Sequence, residues 1–216
     1  MATEWFRNKT WDTEIQSNFE ATLKRARGTY SKAQYLKIQG IELLDTKTQK
    51  TREIGAELLL RMIKEYPMEE TEVVHGNEIL GEYFLESEHY DHAEKHLRIV
   101  VDYYKRKSRS NTSGMADLKL AKTILKSGQT EKLVEAYEYI LKFPKKQLPF
   151  NNQRYYYAEL AALLCDKMNL RKEAKEFALE ALKLSQITTP DFSRHKTIGL
   201  AKVSQDQINT LQRIAR

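Results

Sequence analysis

Three stretches of the chain carry one pattern of apolar and small residues at matching offsets. The first is Leu80-Gly81, Phe84, Tyr90, Ala93, Leu97 and Val100; the second is Leu120-Ala121, Ile124, Gly128, Leu133, Tyr137 and Ile140. The third is Ala161-Ala162, Cys165, Ala174, Ala178 and Ala181. Steps of three and four place these residues on one face of a helix, and a short polar break splits each set into two such faces. Each stretch therefore predicts two antiparallel helices joined by a turn, and their recurrence predicts a repeated unit rather than a single irregular bundle. Residues 36 to 69 carry a fainter copy, with Leu43, Gly55, Leu59, Met62 and the terminal Pro67.

Composition agrees. Only 8 glycines and 4 prolines interrupt 216 residues, and charged residues make up 31% of the chain. Leucine heavily outnumbers valine, which favours solvated helices over sheets. The fold class expected is all-α. Trp11, Ile15, Phe19 and Leu23 form one stripe of a first helix that Gly28 is expected to end, and a second helix is expected over 31–46. A third carries Ile54, Leu58, Met62 and Tyr66 and stops at Pro67. Further helices are expected over 71–86, 90–106, 114–127, 131–143, 150–167, 171–186 and 197–214.

The paired helices, with a small residue late in the first and another early in the second, resemble the tetratricopeptide repeat. The early positions of the second helices are Gly55, Ala93, Leu133 and Ala174, in steps of 38, 40 and 41. The family's repeat is shorter, at about 34 residues, and Leu133 stands where it prefers a small side chain. The resemblance implies antiparallel hairpins stacked into a right-handed superhelix, with the first helix of each pair lining a concave groove where partners dock. It also implies one helical domain: capping helices over 1–35, about four hairpins over 36–188, and a capping helix over 189–216. The segment Trp5-Phe6-Arg7-Asn8-Lys9-Thr10-Trp11, with Arg25-Ala26-Arg27 and the run from Ala33 to Gln39, is similar to bacterial repeat proteins without an assigned activity. That likeness implies a bacterial source and no mechanism.

Catalytic chemistry finds little purchase. His92 and His96 stand one helical turn apart, the spacing of a two-histidine metal site, but the repeat register puts them on the outer, solvated side of a second helix. A metal-dependent enzyme at this pair is the remotest of three functional readings. Cys165, the one cysteine, lies in the apolar run LAALLC and reads as a packed thiol. The glycines form no phosphate-cradling loop and no serine sits in a nucleophile elbow. The chain is read as a non-enzyme with no catalytic residue, no metal and no cofactor.

Charge points to a binding surface. Residues 1–110 hold 18 basic and 19 acidic side chains and residues 111–216 hold 18 and 11, so the net +6 is the sum of −1 in the first half and +7 in the second, where the basic excess resides. Residues 65–94 contain ten acids and no lysine or arginine. On the expected groove helices, Glu78, Glu82 and Glu86 follow His75 at helical spacing. Lys122 and Lys126 occupy the next groove helix, and Tyr156, Glu159 and Lys167 the one after. Such strips suit a partner protein or peptide; equally, Glu82 and Glu86 pairing with Lys122 and Lys126 would only set the stacking.

The alternative is a nucleic-acid-associated protein using the basic second half. The run Lys105-Arg106-Lys107-Ser108-Arg109 reads instead as a basic helix end that complements the helix dipole, and the acidic stretch breaks any continuous basic track. Of Tyr155, Tyr156 and Tyr157, at least one is expected in the core. The start MATEWFRNKTW lacks a signal pattern, and no apolar run is long enough to span a membrane. With a single cysteine, this makes a cytoplasmic location the expectation.

Overall fold

Helix α1 (Thr13–Arg25) begins where the Asp12 side chain accepts a hydrogen bond from the Ile15 N–H at 2.9 Å, satisfying one of the free donors of a helix start. The computed structural model describes residues 4–192 and 194–216. The other helices are α2 (Thr29–Leu44), α3 (Gln49–Glu65), α4 (Glu70–Glu86), α5 (Tyr90–Arg106), α6 (Ala116–Lys126), α7 (Leu133–Lys142), α8 (Asn151–Lys167), α9 (Arg171–Ser185) and α10 (Gln205–Ile214). Among the described residues there is no strand, only an isolated bridge between Phe192 and His195. The fold is all-α with sequential helices packed in pairs, and the chain divides into two compact units, 1–116 and 117–216.

In the N-terminal unit α2 packs on α3 and α4 on α5, while α3 and α2 both meet α4. Leu36, Leu43, Leu59, Met62 and Leu80 are fully buried between them, and Phe19 and Leu23 of α1 join the same core. Two glycines set the spacing of the first pair. A Cβ on Gly40 would lie 2.9 Å from the Gly55 carbonyl oxygen, and one on Gly55 would lie 2.7 Å from the Gly40 oxygen and 2.9 Å from the Leu44 nitrogen. Here backbone meets backbone. At Gly81 the added atom would instead meet the Leu97 side chain, at 2.6 Å.

The segment before α1 is tied to α2 by hydrogen bonds. The fully buried Gln39 amide accepts from the Asn8 backbone N–H (3.0 Å) and side-chain amide (2.8 Å), and donates to the Asn8 carbonyl at 2.8 Å. Arg7 and Lys9 reach Glu42 at 3.0 and 2.6 Å, and these two cations hold the Glu42 carboxyl below its ordinary range. Trp5 packs against Phe19 and Tyr35, with ring centroids 5.3 and 4.7 Å apart. Residues 5–11 therefore form a strap, and α2 is the helix it grips.

One turn recurs. Glu88, Gly128 and Asn169 all have left-handed φ, at 59°, 73° and 59°, and each lies seven residues after a small residue, Gly81, Ala121 or Ala162. The residue that follows has nearly the same conformation each time: φ −87°, ψ 69° at His89, φ −73°, ψ 79° at Gln129, and φ −85°, ψ 72° at Leu170. The His89 N–H reaches back to the Phe84 carbonyl at 2.8 Å and the Leu170 N–H to the Cys165 carbonyl at 2.9 Å, the long bond of a Schellman closure.

In the C-terminal unit, α8 and α9 pack through Ala158, Ala162, Ala174, Ala178 and Ala181, all buried. Helix α10 lies against both, burying Leu211 and Ile214. The loop between α9 and α10 returns to α8, where Asp191 accepts from the Asn151 backbone N–H (3.0 Å) and side-chain amide (2.8 Å).

Three expectations are corrected. Gly28 does not end α1, which stops at Arg25; its φ of +81° instead starts α2 as the N-cap residue. Trp11 precedes the Asp12 cap and meets Phe19 edge-on from outside the helix. The last helix starts at Gln205 rather than near 197, because Ser204 and Gln207 form a reciprocal capping box and Gly199 turns the preceding loop at φ +86°.

The glycine contacts predict unequal penalties. Gly55→Ala forces two helix backbones apart and is expected to cost about 1–3 kcal/mol, beyond alanine's gain in helix propensity of about 1 kcal/mol. Gly81→Ala meets a leucine side chain able to turn aside and costs less. Urea denaturation of both variants checks the order.

Candidate functional site

The acidic strip of α4 is not uniform. Glu78 is buried and accepts hydrogen bonds from the Ser113 backbone N–H (2.8 Å) and the Ser113 hydroxyl. Glu82 is exposed. Glu86 is exposed and pairs with Arg52 of α3 at 2.7 Å. One turn before Glu78, His75 Nδ1 lies 3.3 Å from the Lys37 ammonium, which also pairs with the buried Glu72 at 2.5 Å. Of the three glutamates on the strip, only Glu78 is turned inward.

The histidine pair corrects the sequence reading. His96 is buried, not solvated: its Nδ1 lies 2.8 Å from the Asn77 Oδ1 and its ring stacks on Phe84 with centroids 5.6 Å apart. The Asn77 amide nitrogen is committed to the Val73 carbonyl at 2.8 Å, so its oxygen faces the imidazole and His96 Nδ1 carries the proton. His92 is exposed, beside the same Phe84 ring. Among the described residues no group of three or more His, Cys, Asp or Glu side chains is arranged to hold a metal ion. Burial, with smaller contributions from Lys95 and His92, pushes the His96 imidazole down to about 4.

The basic run at the end of α5 is used locally. Lys105 pairs with Asp102 at 2.7 Å, and the Arg109 guanidinium lies 4.5 Å from the Tyr104 ring centre and donates to the Gly114 carbonyl. Cys165 is fully buried, as the sequence implies, and burial pushes its thiol up to about 11.

Four of the residues singled out in the sequence come together in the C-terminal unit. Lys122 and Lys126 of α6, Glu159 and Leu163 of α8, and Asp206, Gln207, Thr210 and Leu211 of α10 line a cleft of about 270 Å³. Tyr156 borders it, with the Lys122 ammonium 4.9 Å from the centre of its ring. Its neighbours Tyr155 and Tyr157 are both buried. Tyr157 donates to the Ile140 carbonyl at 3.2 Å and burial raises its phenol to about 12; two of the three tyrosines thus serve the core, and the third carries Lys122 over its ring.

Glu159 is held in place. Its Oε1 accepts from the Tyr155 hydroxyl at 3.0 Å and from the Gln207 side chain at 2.6 Å. Further along, Arg213 of α10 pairs with Asp166 of α8 at 2.8 Å. Lys167 is exposed at the last turn of α8 and does not line the cleft. The α10 wall is what the sequence reading missed. Its signal was present as Ser204-x-x-Gln207, a capping box, followed by Leu211 and Ile214 on one helical face. The cleft thus offers ammonium groups, carboxylates and an aliphatic patch.

No family model matches the chain, and neither a curated protein nor a solved structure matches it. No helix among the described residues is long and apolar enough to cross a membrane.

The buried imidazole predicts an acid-sensitive fold. Above pH 6.5 His96 is neutral both folded and unfolded and does not affect stability. As pH falls from 6.5 towards 4, the unfolded chain takes up a proton that the folded chain does not, and stability declines by up to about 3 kcal/mol. Denaturation at pH 7.5 and 4.5 is expected to show a steeper loss in the wild type than in His96→Gln; equal losses would contradict the buried neutral form.

Proposed function

We propose that this chain is a non-catalytic protein-interaction module of the tetratricopeptide kind, a stack of helical hairpins in a right-handed superhelix. Its partner is a protein or peptide bound through side chains of the first helices of the pairs. The repeat reading is supported by the small residues at 40, 81, 121 and 162, in steps of 41, 40 and 41, and by the common turn at Glu88, Gly128 and Asn169.

The observation that carries the binding reading is the cleft between α6, α8 and α10, where Lys122, Lys126 and Glu159 meet. Mixed charges around Leu163 and Leu211 suit a peptide segment that presents an aliphatic side chain flanked by charges. Apolar burial supplies affinity and the charges supply selectivity and on-rate. The cleft holds a single side chain or two, so the partner's remaining contacts fall on the adjoining faces of α6, α8 and α10.

The test starts from a partner captured by the full chain in its native source, identified by mass spectrometry and then purified. Lys126→Glu and Thr210→Trp are expected to weaken direct binding at least about tenfold, a change of about 1.4 kcal/mol, with melting temperatures unchanged. No stoichiometric protein partner, or one bound equally by both variants, would contradict the proposal.

A further inference from the structure

The N-terminal unit has a second, larger cleft, of about 400 Å³, between α1, α2 and α3. Three cations face it from three helices: Lys24 of α1, Lys32 of α2 and Arg61 of α3. Glu20 is the single carboxylate in its lining, and both of its oxygens are engaged by Arg61, Oε1 to Nη1 at 2.5 Å and Oε2 to Nη2 at 3.1 Å. Arg61 is held from the other side by Glu65, at 2.8 Å from its Nε. That clamp fixes the guanidinium as a rigid wall, and with Glu20 engaged no carboxylate of the lining is left for the two lysines.

Lys24 and Lys32 have no ion-pair partner among the described residues. Elsewhere in this unit, which has a slight excess of acid, Lys9, Lys37, Arg52 and Arg98 each reach a carboxylate within 2.7 Å. The first turn of α2, where Lys32 stands, carries no acidic residue. Leu23 is buried at the base of the cleft and the half-buried Tyr66 flanks it. An apolar floor beneath like charges strengthens their field on an incoming anion.

We propose that this cleft binds a multiply charged phosphate group, carried by a small phosphate compound. Lys24 and Lys32 donate to phosphoryl oxygens from two sides in charge-assisted hydrogen bonds, and the Tyr66 hydroxyl supplies a neutral donor. A phenol keeps its proton at neutral pH in any setting, and burial of Tyr66 raises it further. Free pyrophosphate and a nucleoside diphosphate share this chemistry; the Tyr66 ring and Leu23 add contact only for the second. The site is independent of the peptide-binding reading of the C-terminal unit.

The test is calorimetric titration of the full chain, at fixed moderate salt, with pyrophosphate, ADP and adenosine. One saturable site for pyrophosphate or ADP is expected, and none for adenosine. Tighter binding of ADP assigns the nucleotide, and equal binding assigns the free phosphate. Lys24→Gln with Lys32→Gln is expected to weaken binding at least about tenfold, with the melting temperature unchanged. Lys24→Arg with Lys32→Arg retains binding, and so does the control Lys64→Gln with Lys95→Gln, two exposed lysines of the same unit. Absence of saturable phosphate binding, equal loss in the control, or binding of an RNA oligonucleotide but not pyrophosphate would overturn the proposal.

Discussion

At Gly40 and Gly55 the backbones of α2 and α3 meet with no room for a Cβ on either residue. Without a side chain at either point, α2 and α3 pack closely enough for Leu36, Leu43, Leu59 and Met62 to fill the flanking space completely. The same arrangement is relaxed by degrees along the chain. Gly81 faces a leucine side chain, and in the C-terminal unit Ala162 and Ala174 bury methyl groups between α8 and α9. Because interiors are packed near crystal density, the size of these few side chains sets the thickness of each hairpin.

Helix pairs packed in this way leave an apolar face open, and in each unit a further segment covers one. In the N-terminal unit the strap from Trp5 to Trp11 and helix α1 do so, with the strap fastened by the two-way amide contact of Asn8 and Gln39. In the C-terminal unit α10 does so, through Leu211, Ile214 and the polar links from Gln207 and Arg213. Covering the end of a hairpin also creates a recess along its border, and both clefts lie beside such a covering helix: α10 at Lys122 and Lys126, α1 at Lys24 and Lys32.

Helical faces were legible in the sequence because their periodicity is local. Gly55, Gly81, Ala93 and Ala174 were found as small positions, and Tyr155 or a neighbour as core. Gly40 was missed because the turn after α2 is longer: 15 residues separate Gly40 from Gly55, against 12 between Gly81 and Ala93, so the shared offset fails there. His96 was misread because its partner, Asn77, comes from another helix, and a long-range hydrogen bond leaves no periodic trace. For the same reason Lys24, Lys32 and Arg61 looked like scattered surface charges; only the fold brings them to one cleft. Lys122, Lys126 and Glu159 were found from their helical faces, whereas the α10 wall opposite them depends on tertiary docking.

The small-residue register sets the helix spacing within both units. Equilibrium denaturation of Ala121→Leu and Ala162→Leu, beside Glu176→Leu on the exposed face of α9, tests it most directly. Both alanines are fully buried, so each leucine is expected to lower stability by about 1–3 kcal/mol or more through overpacking, while Glu176→Leu stays near the wild type. Wild-type midpoints for both alanine variants would show that these positions do not set the packing, and would contradict the account.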